Sequence, residues 1–162
     1  TDFRGTDGPG GGRFRSAATL AGAIAEHWPV GTAPSDAYVV CTGGEPLLQL
    51  DESLVAELHA RGFEVAVETN GTRPAPPGID WLCVSPKAES ELVLTRGDEL
   101  KLIYPQAKAP PERFLGLDFR YFYLQPMDGP EQAANTARAV AYCKANPRWR
   151  LSLQTHKLIG IP

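Results

Sequence analysis

Val39-Val40-Cys41-Thr42-Gly43-Gly44-Glu45-Pro46-Leu47-Leu48 is the stretch that decides the fold of this chain. Two β-branched residues run into a glycine pair, then a carboxylate, then a proline that bars a strand from continuing. The residues that follow, Leu48 to Arg61, read as a helix stopped by Gly62. Strand, tight turn and helix in that order put the turn at the carboxyl end of a strand, where α/β folds bind ligands. Glycines at such a turn let backbone carbonyl and N–H groups approach a ligand without interference from a Cβ. Glu45 adds a negative group suited to a cationic head such as an ammonium. Alone, the motif is also what an ordinary glycine turn looks like.

Working outward, the same ending recurs. On the amino-terminal side, residues 1–12 form a glycine-rich polar loop, and Ser16 caps a helix over Ala17 to Trp28, with Leu20, Ile24 and Trp28 at helical spacing. Tyr38 to Thr42 is expected to be a buried strand. On the other side, Phe63 to Gly71 is a strand ending in Asn-Gly, a pair that tolerates positive φ. Further strands are expected at Asp80–Lys87, Glu99–Pro105 and Arg120–Gly129, then a helix from Gln132 to Lys144, and a strand-like Trp149–His156. The closing Leu158-Ile159-Gly160-Ile161-Pro162 is almost wholly apolar and is expected to pack. Strands alternating with helices or short connections imply an α/β fold with a mainly parallel sheet, read as an open or partial (β/α) barrel. Four strands end in polar turn signatures: Thr-Gly-Gly-Glu, Glu-Thr-Asn-Gly, Ser-Pro-Lys and Gln-Pro-Met-Asp. In a parallel sheet those ends share one rim, and a polar rim above an apolar sheet is a binding site.

Composition narrows the class. At 162 residues the chain suits a single domain with a real core. A net charge of −3 argues against a general nucleic-acid or membrane-binding surface, which needs a basic excess. Apolar runs fall far short of the ~20 residues that span a bilayer, so a cytoplasmic protein is expected. Cys41, Cys83 and Cys143 lie far apart and form neither a zinc-site nor a disulfide spacing; Cys41 and Cys83 read as small buried hydrophobes.

With these segments together, the chain resembles radical S-adenosylmethionine proteins, and more narrowly the 7-carboxy-7-deazaguanine synthase family. The resemblance is carried by Thr1-Asp2-Phe3 with Gly5-Thr6-Asp7-Gly8, Cys41-Thr42-Gly43-Gly44-Glu45-Pro46, Glu68-Thr69-Asn70-Gly71, Val84-Ser85-Pro86-Lys87, Leu124-Gln125-Pro126-Met127-Asp128 and Gln154-Thr155-His156-Lys157. They occur in the family's order and spread over nearly the whole chain. The Gly-Gly-Glu alone marks only the superfamily; the set is specific.

The resemblance implies one radical S-adenosylmethionine core domain over residues 1–162, and a site. Gly43, Gly44 and Glu45 would receive the amino group of S-adenosylmethionine. Ser85, Pro86 and Lys87 would serve its ribose hydroxyls and carboxylate, and Gln125, Pro126, Met127 and Asp128 its adenosine end. Met127 has plain core as its lesser alternative, and Glu68 and Asn70 either reach the cofactor or only shape a turn. Thr42 would bond a substrate edge, or else satisfy a strand-end backbone group. The carboxylate of Pro162 would pair with the guanidine-like edge of the substrate, or the tail merely closes the barrel. Thr1 would assist a magnesium ion, and His156 reads as a packed histidine rather than a base. In this family the [4Fe-4S] cysteines precede the Thr-Asp-Phe segment, so three cysteines are expected upstream of Thr1; Cys41, Cys83 and Cys143 are no substitutes. The implied reaction converts 6-carboxy-5,6,7,8-tetrahydropterin to 7-carboxy-7-deazaguanine and ammonia, a carbon–nitrogen lyase step of queuosine and deazapurine biosynthesis. It begins when a 5′-deoxyadenosyl radical takes a substrate hydrogen. A flavodoxin-type reductant and a homodimer are implied with it. Two other readings stand beside this one: a cluster-less module that binds S-adenosylmethionine or pterin without chemistry, and another radical enzyme such as an activase.

Overall fold

The computed structural model describes residues 12–29, 37–88 and 90–160. The fold is α/β, with a mainly parallel six-stranded sheet whose strands follow one another in chain order. Parallel neighbours need crossover connections, and the alternation of strands with helices and turns provides them. The chain divides into two compact units: Thr1–Thr69 with Arg73–Leu82, and Asn70–Thr72 with Cys83–Pro162.

In the first unit, helix α1 (Ala17–Glu26) starts where the sequence places it. The Thr19 N–H donates to Ser16 Oγ and the Ser16 N–H donates to Thr19 Oγ1, both at 3.2 Å. This reciprocal cap satisfies two of the N–H groups that a helix start leaves orphaned. Strand β1 (Tyr38–Cys41) pairs in parallel with β2 (Glu64–Thr69). The two differ sharply in burial. Val65, Ala66 and Val67 are 0–3% exposed, whereas Tyr38 and Val40 are 41% and 45% exposed. The expected burial of β1 therefore fails: exposure alternates along the strand, so the face that carries Tyr38 and Val40 is the uncovered one. Cys41 is correspondingly half-buried.

The helix expected from Leu48 is also divided. Pro46–Leu48 forms a short 3₁₀ turn, and α2 (Glu52–His59) begins afresh behind Asp51. Asp51 accepts the Leu54 N–H at 2.9 Å, and a carboxylate at that position is a better helix start than Gln49 or Leu50. Leu54, Val55 and Leu58 face inward from α2. Trp28 meets Phe63 edge-on at 5.8 Å.

In the second unit, strands β3 (Trp81–Val84), β4 (Arg96–Tyr104), β5 (Asp118–Pro126) and β6 (Trp149–Leu151) are paired in parallel in that order. Leu100 opposes Phe122 and Leu102 opposes Leu124 across the long β4–β5 ladder. All four are 1% exposed or less, each worth about 1.5–3 kcal/mol relative to exposure. Helix α3 (Gln132–Ala145) packs on β5 and β6, and Trp149 meets Phe122 at 5.3 Å.

Two expectations for the tail fail. After β6 the chain does not stay extended: Thr155–Leu158 is a short helix, α4, so His156 and Lys157 lie on a helix. The ladder ends where Ser152 N–H donates to Leu124 O, and the Lys157 N–H then turns back to Gln154 O at 3.0 Å. Nor does the described part of the apolar tail pack, for Leu158 and Ile159 are 64% and 63% exposed, while Ile161 and Pro162 lie outside the described residues. No helix among the described residues is long and apolar enough to cross a membrane.

Candidate functional site

The predicted site residues fall in both compact units. In the first, the turn after β1 presents Thr42, Gly43 and Gly44 at the surface, with Glu45 half-buried behind them. Gly43 has φ +123°, a conformation that L side chains rarely adopt, and a Cβ built on it would meet nothing within 4 Å. The turn is thus open toward solvent. Glu45 Oε1 accepts two hydrogen bonds, from the Leu47 N–H at 3.0 Å and from the Thr69 hydroxyl at 2.6 Å. The first makes Glu45 the cap of the 3₁₀ turn. The second comes from the end of β2, the strand alongside, from a side chain only 3% exposed. A carboxylate held by the Leu47 N–H and the Thr69 hydroxyl beside an exposed glycine turn suits an ammonium ligand, because the negative group is fixed in advance. These residues fit the amino end of S-adenosylmethionine.

The Asn70-Gly71 turn belongs to the second unit. Asn70 Oδ1 accepts from the Thr72 N–H at 2.9 Å and the Thr72 hydroxyl at 2.7 Å, and Gly71 O accepts from Val93 and Leu94. Those bonds are structural, and they show Asn70 building a turn. Beyond β3, Ser85 is half-buried, Pro86 is buried and Lys87 is exposed. The Lys87 ammonium pairs with no carboxylate among the described residues. Three donors and a full charge at a strand end suit hydroxyls and a carboxylate.

Beyond β5, Gln125 is half-buried, Pro126 is buried, and Met127 and Asp128 face solvent. Met127, at 37% exposure, is therefore not a core residue. The loop is tied on several sides. Met127 N–H donates to Tyr104 O at 2.7 Å, and Asn135 Nδ2 donates to Met127 O at 3.1 Å. Asp128 accepts from the Gly129 N–H at 2.9 Å and forms a short ion pair with Lys157 of α4. The Lys157 hydrogen bond, with help from the Gly129 N–H and the Lys157 charge, holds the Asp128 carboxyl below the usual carboxylate range.

Sequence reading missed Thr69, Asn135 and Lys157 as supports of these loops. Thr69 and Lys157 lie inside motifs that carry the resemblance, and Asn135 lies in an alanine-rich helix. The one signal available for Asn135 was an amide on the inward face of that helix.

A metal centre is a different matter. Among the described residues no group of three His, Cys, Asp or Glu side chains could hold a metal ion. Burial pushes the Cys41 and Cys143 thiols up from their ordinary value, and neither stands in a group of possible ligands. The described residues therefore do not fit an iron–sulfur cluster. Thr1 and Pro162, predicted at magnesium and substrate, lie outside the described residues.

The class defined here is an α/β protein with a mainly parallel sheet, a fold whose strand-end loops are where ligands are usually taken. Comparison with known proteins narrows this. No protein-family model matches the chain. It is 62% identical over 162 residues to the 7-carboxy-7-deazaguanine synthase of Caulobacter vibrioides, and 65% identical over 162 residues to that of Bordetella pertussis. Each match covers 100% of this chain and 76% of the relative. A crystal structure of QueE from Escherichia coli superposes with a TM-score of 0.62 at 30% identity, covering 84% of this chain and 61% of that one. The chain belongs to the 7-carboxy-7-deazaguanine synthase family.

Proposed function

We propose that this protein acts as a 7-carboxy-7-deazaguanine synthase, taking S-adenosylmethionine as cofactor and 6-carboxy-5,6,7,8-tetrahydropterin as substrate, and releasing ammonia. The observation that carries the reading is Glu45: a family-type Gly-Gly-Glu turn whose carboxylate is held by Thr69 and Leu47 beside open space at Gly43.

In this reading Glu45 and the carbonyls of Gly43 and Gly44 take the cofactor's ammonium. Lys87 takes its carboxylate, Ser85 a ribose hydroxyl, and the Gln125–Asp128 loop its adenosine end. Thr42 bonds a substrate edge. When bound, S-adenosylmethionine supplies the hydrogen-abstracting chemistry; the chain's own side chains bind, orient and exclude water. No step is assigned to an iron–sulfur cluster, for which the described residues offer no ligand set. A flavodoxin-type reductant and a homodimeric state complete the proposal, both on the strength of family resemblance.

The test is anaerobic incubation of the full-length protein with iron, sulfide, reductant, S-adenosylmethionine and the carboxytetrahydropterin, followed by mass spectrometry. Appearance of 7-carboxy-7-deazaguanine is expected. Binding of S-adenosylmethionine without that product would instead favour a non-catalytic binding module.

A further inference from the structure

Among the described residues two polar side chains are buried, Thr69 at 3% and Asn135 at 5% exposure. Burying a hydroxyl or an amide is costly unless it is hydrogen-bonded, so what each one bonds is informative. Each reaches a strand-end loop of the candidate site. Thr69, at the end of β2, donates to Glu45 Oε1 at 2.6 Å. Asn135, in the first turns of α3, donates through Nδ2 to Met127 O at 3.1 Å.

The geometry at both places fixes an orientation. The Leu47 N–H lands on the same Glu45 oxygen as the Thr69 hydroxyl. Two donors on one carboxylate oxygen define the rotation of the carboxyl group, which a single bond leaves free. At the other loop, the Met127 peptide N–H is already held by Tyr104 O. Asn135 holds the carbonyl of the same residue, so Met127 is pinned through both of its backbone groups. Arg138 Nη1 donates to Asn135 Oδ1 at 3.4 Å, which sets the amide with its nitrogen toward Met127.

We propose that Thr69 and Asn135 are positioning residues for cofactor binding: Thr69 aims the Glu45 carboxylate, and Asn135 holds the Met127–Asp128 backbone. The inference rests on the reading of these loops as the S-adenosylmethionine site. A purely structural role makes a different prediction. At a buried position valine is isosteric with threonine, and leucine nearly so with asparagine, so each variant removes one hydrogen bond with little change in packing, at a stability cost of about 1 kcal/mol. Stability and cofactor affinity should therefore come apart.

The test uses the complete enzyme with Thr69→Val, Thr69→Ser, Asn135→Leu and Glu45→Ala. It reads S-adenosylmethionine affinity by equilibrium dialysis, thermal unfolding, and hydrogen exchange over residues 125–131. Thr69→Val and Asn135→Leu are each expected to weaken binding by about fivefold or more, ~1 kcal/mol, with melting shifts of only a few degrees. Thr69→Ser, which keeps the hydroxyl, is expected to bind as the parent does. Asn135→Leu is expected to speed exchange over 125–131. Parental affinity in both apolar variants, with Glu45→Ala weakened, would overturn the inference and leave the site reading standing. Parental affinity in Glu45→Ala would sink the site reading itself, and the inference with it. Affinity lost in step with stability, and not recovered by serine, would mean that the two residues only hold the fold together. Should Asn135→Leu fail to fold, the Thr69 pair decides alone.

Discussion

Gly71→Ala is expected to be among the most damaging single-methyl additions in the second unit. Gly71 is buried at φ +78°, and its carbonyl accepts the N–H groups of Val93 at 2.9 Å and Leu94 at 3.0 Å. A Cβ on this residue would lie 2.6 Å from Val84 Cγ1 and 2.9 Å from Leu92 Cδ2. Both distances are below anything real Cβ atoms tolerate, and Val84 is itself fully buried, so it has little room to give. The left-handed conformation costs an alanine about 1–2 kcal/mol. Forcing a methyl into a packed region costs about 1–3 kcal/mol more. The total, about 2–5 kcal/mol, is a large share of the ~5–15 kcal/mol by which domains are stable. Urea unfolding followed by tryptophan fluorescence measures it. Gly22→Ala is the matched control: Gly22 lies inside α1, an added Cβ meets nothing within 4 Å, and the change should stabilise by about 0.5–1 kcal/mol. A Gly71→Ala protein within about 1 kcal/mol of the parent would refute the packing argument.

The Asp80 carboxylate is expected to show as an acid-sensitive contribution to stability. It accepts from His59 Nε2 and from the Val65 N–H, both at 2.8 Å. Burial pushes its pKa up, but the Val65 N–H and His59 outweigh that and hold it below the usual range. A depressed pKa means that this stability is complete above the unfolded value near pH 4 and is lost as pH falls through the folded one. Asp80→Asn should therefore cost about 1–2 kcal/mol at pH 7 and progressively less toward pH 3; a pH-independent deficit in urea titrations would exclude this cause.

Much of this molecule is legible in its sequence because its strands announce their own ends. Four of the runs stop at Gly-Gly, Asn-Gly, Ser-Pro or Gln-Pro, and five of the predicted strands stand within a few residues of their positions. What could not be read depended on partners. β1 has a composition suited to burial, yet the face that carries Tyr38 and Val40 is left at the surface. Helical periodicity from Leu48 onward hid the break at Asp51, where a side-chain cap outcompetes continuation. An apolar pattern at Leu158 and Ile159 suggests packing, but both stay largely exposed. At the site, Glu45 was legible as a carboxylate at a strand end. That Thr69 aims it was not, because a hydroxyl on the neighbouring strand leaves no spacing signal.

The central claim is that the strand-end residues hold S-adenosylmethionine, with Glu45 on its ammonium and Lys87 on its carboxylate. Titration calorimetry of the complete enzyme with S-adenosylmethionine, repeated for Glu45→Ala and Lys87→Ala, tests it most directly. Each substitution is predicted to weaken binding by about 1–3 kcal/mol, the usual cost of leaving a charged group without its partner. Affinity equal to the parent's in both variants would contradict the account.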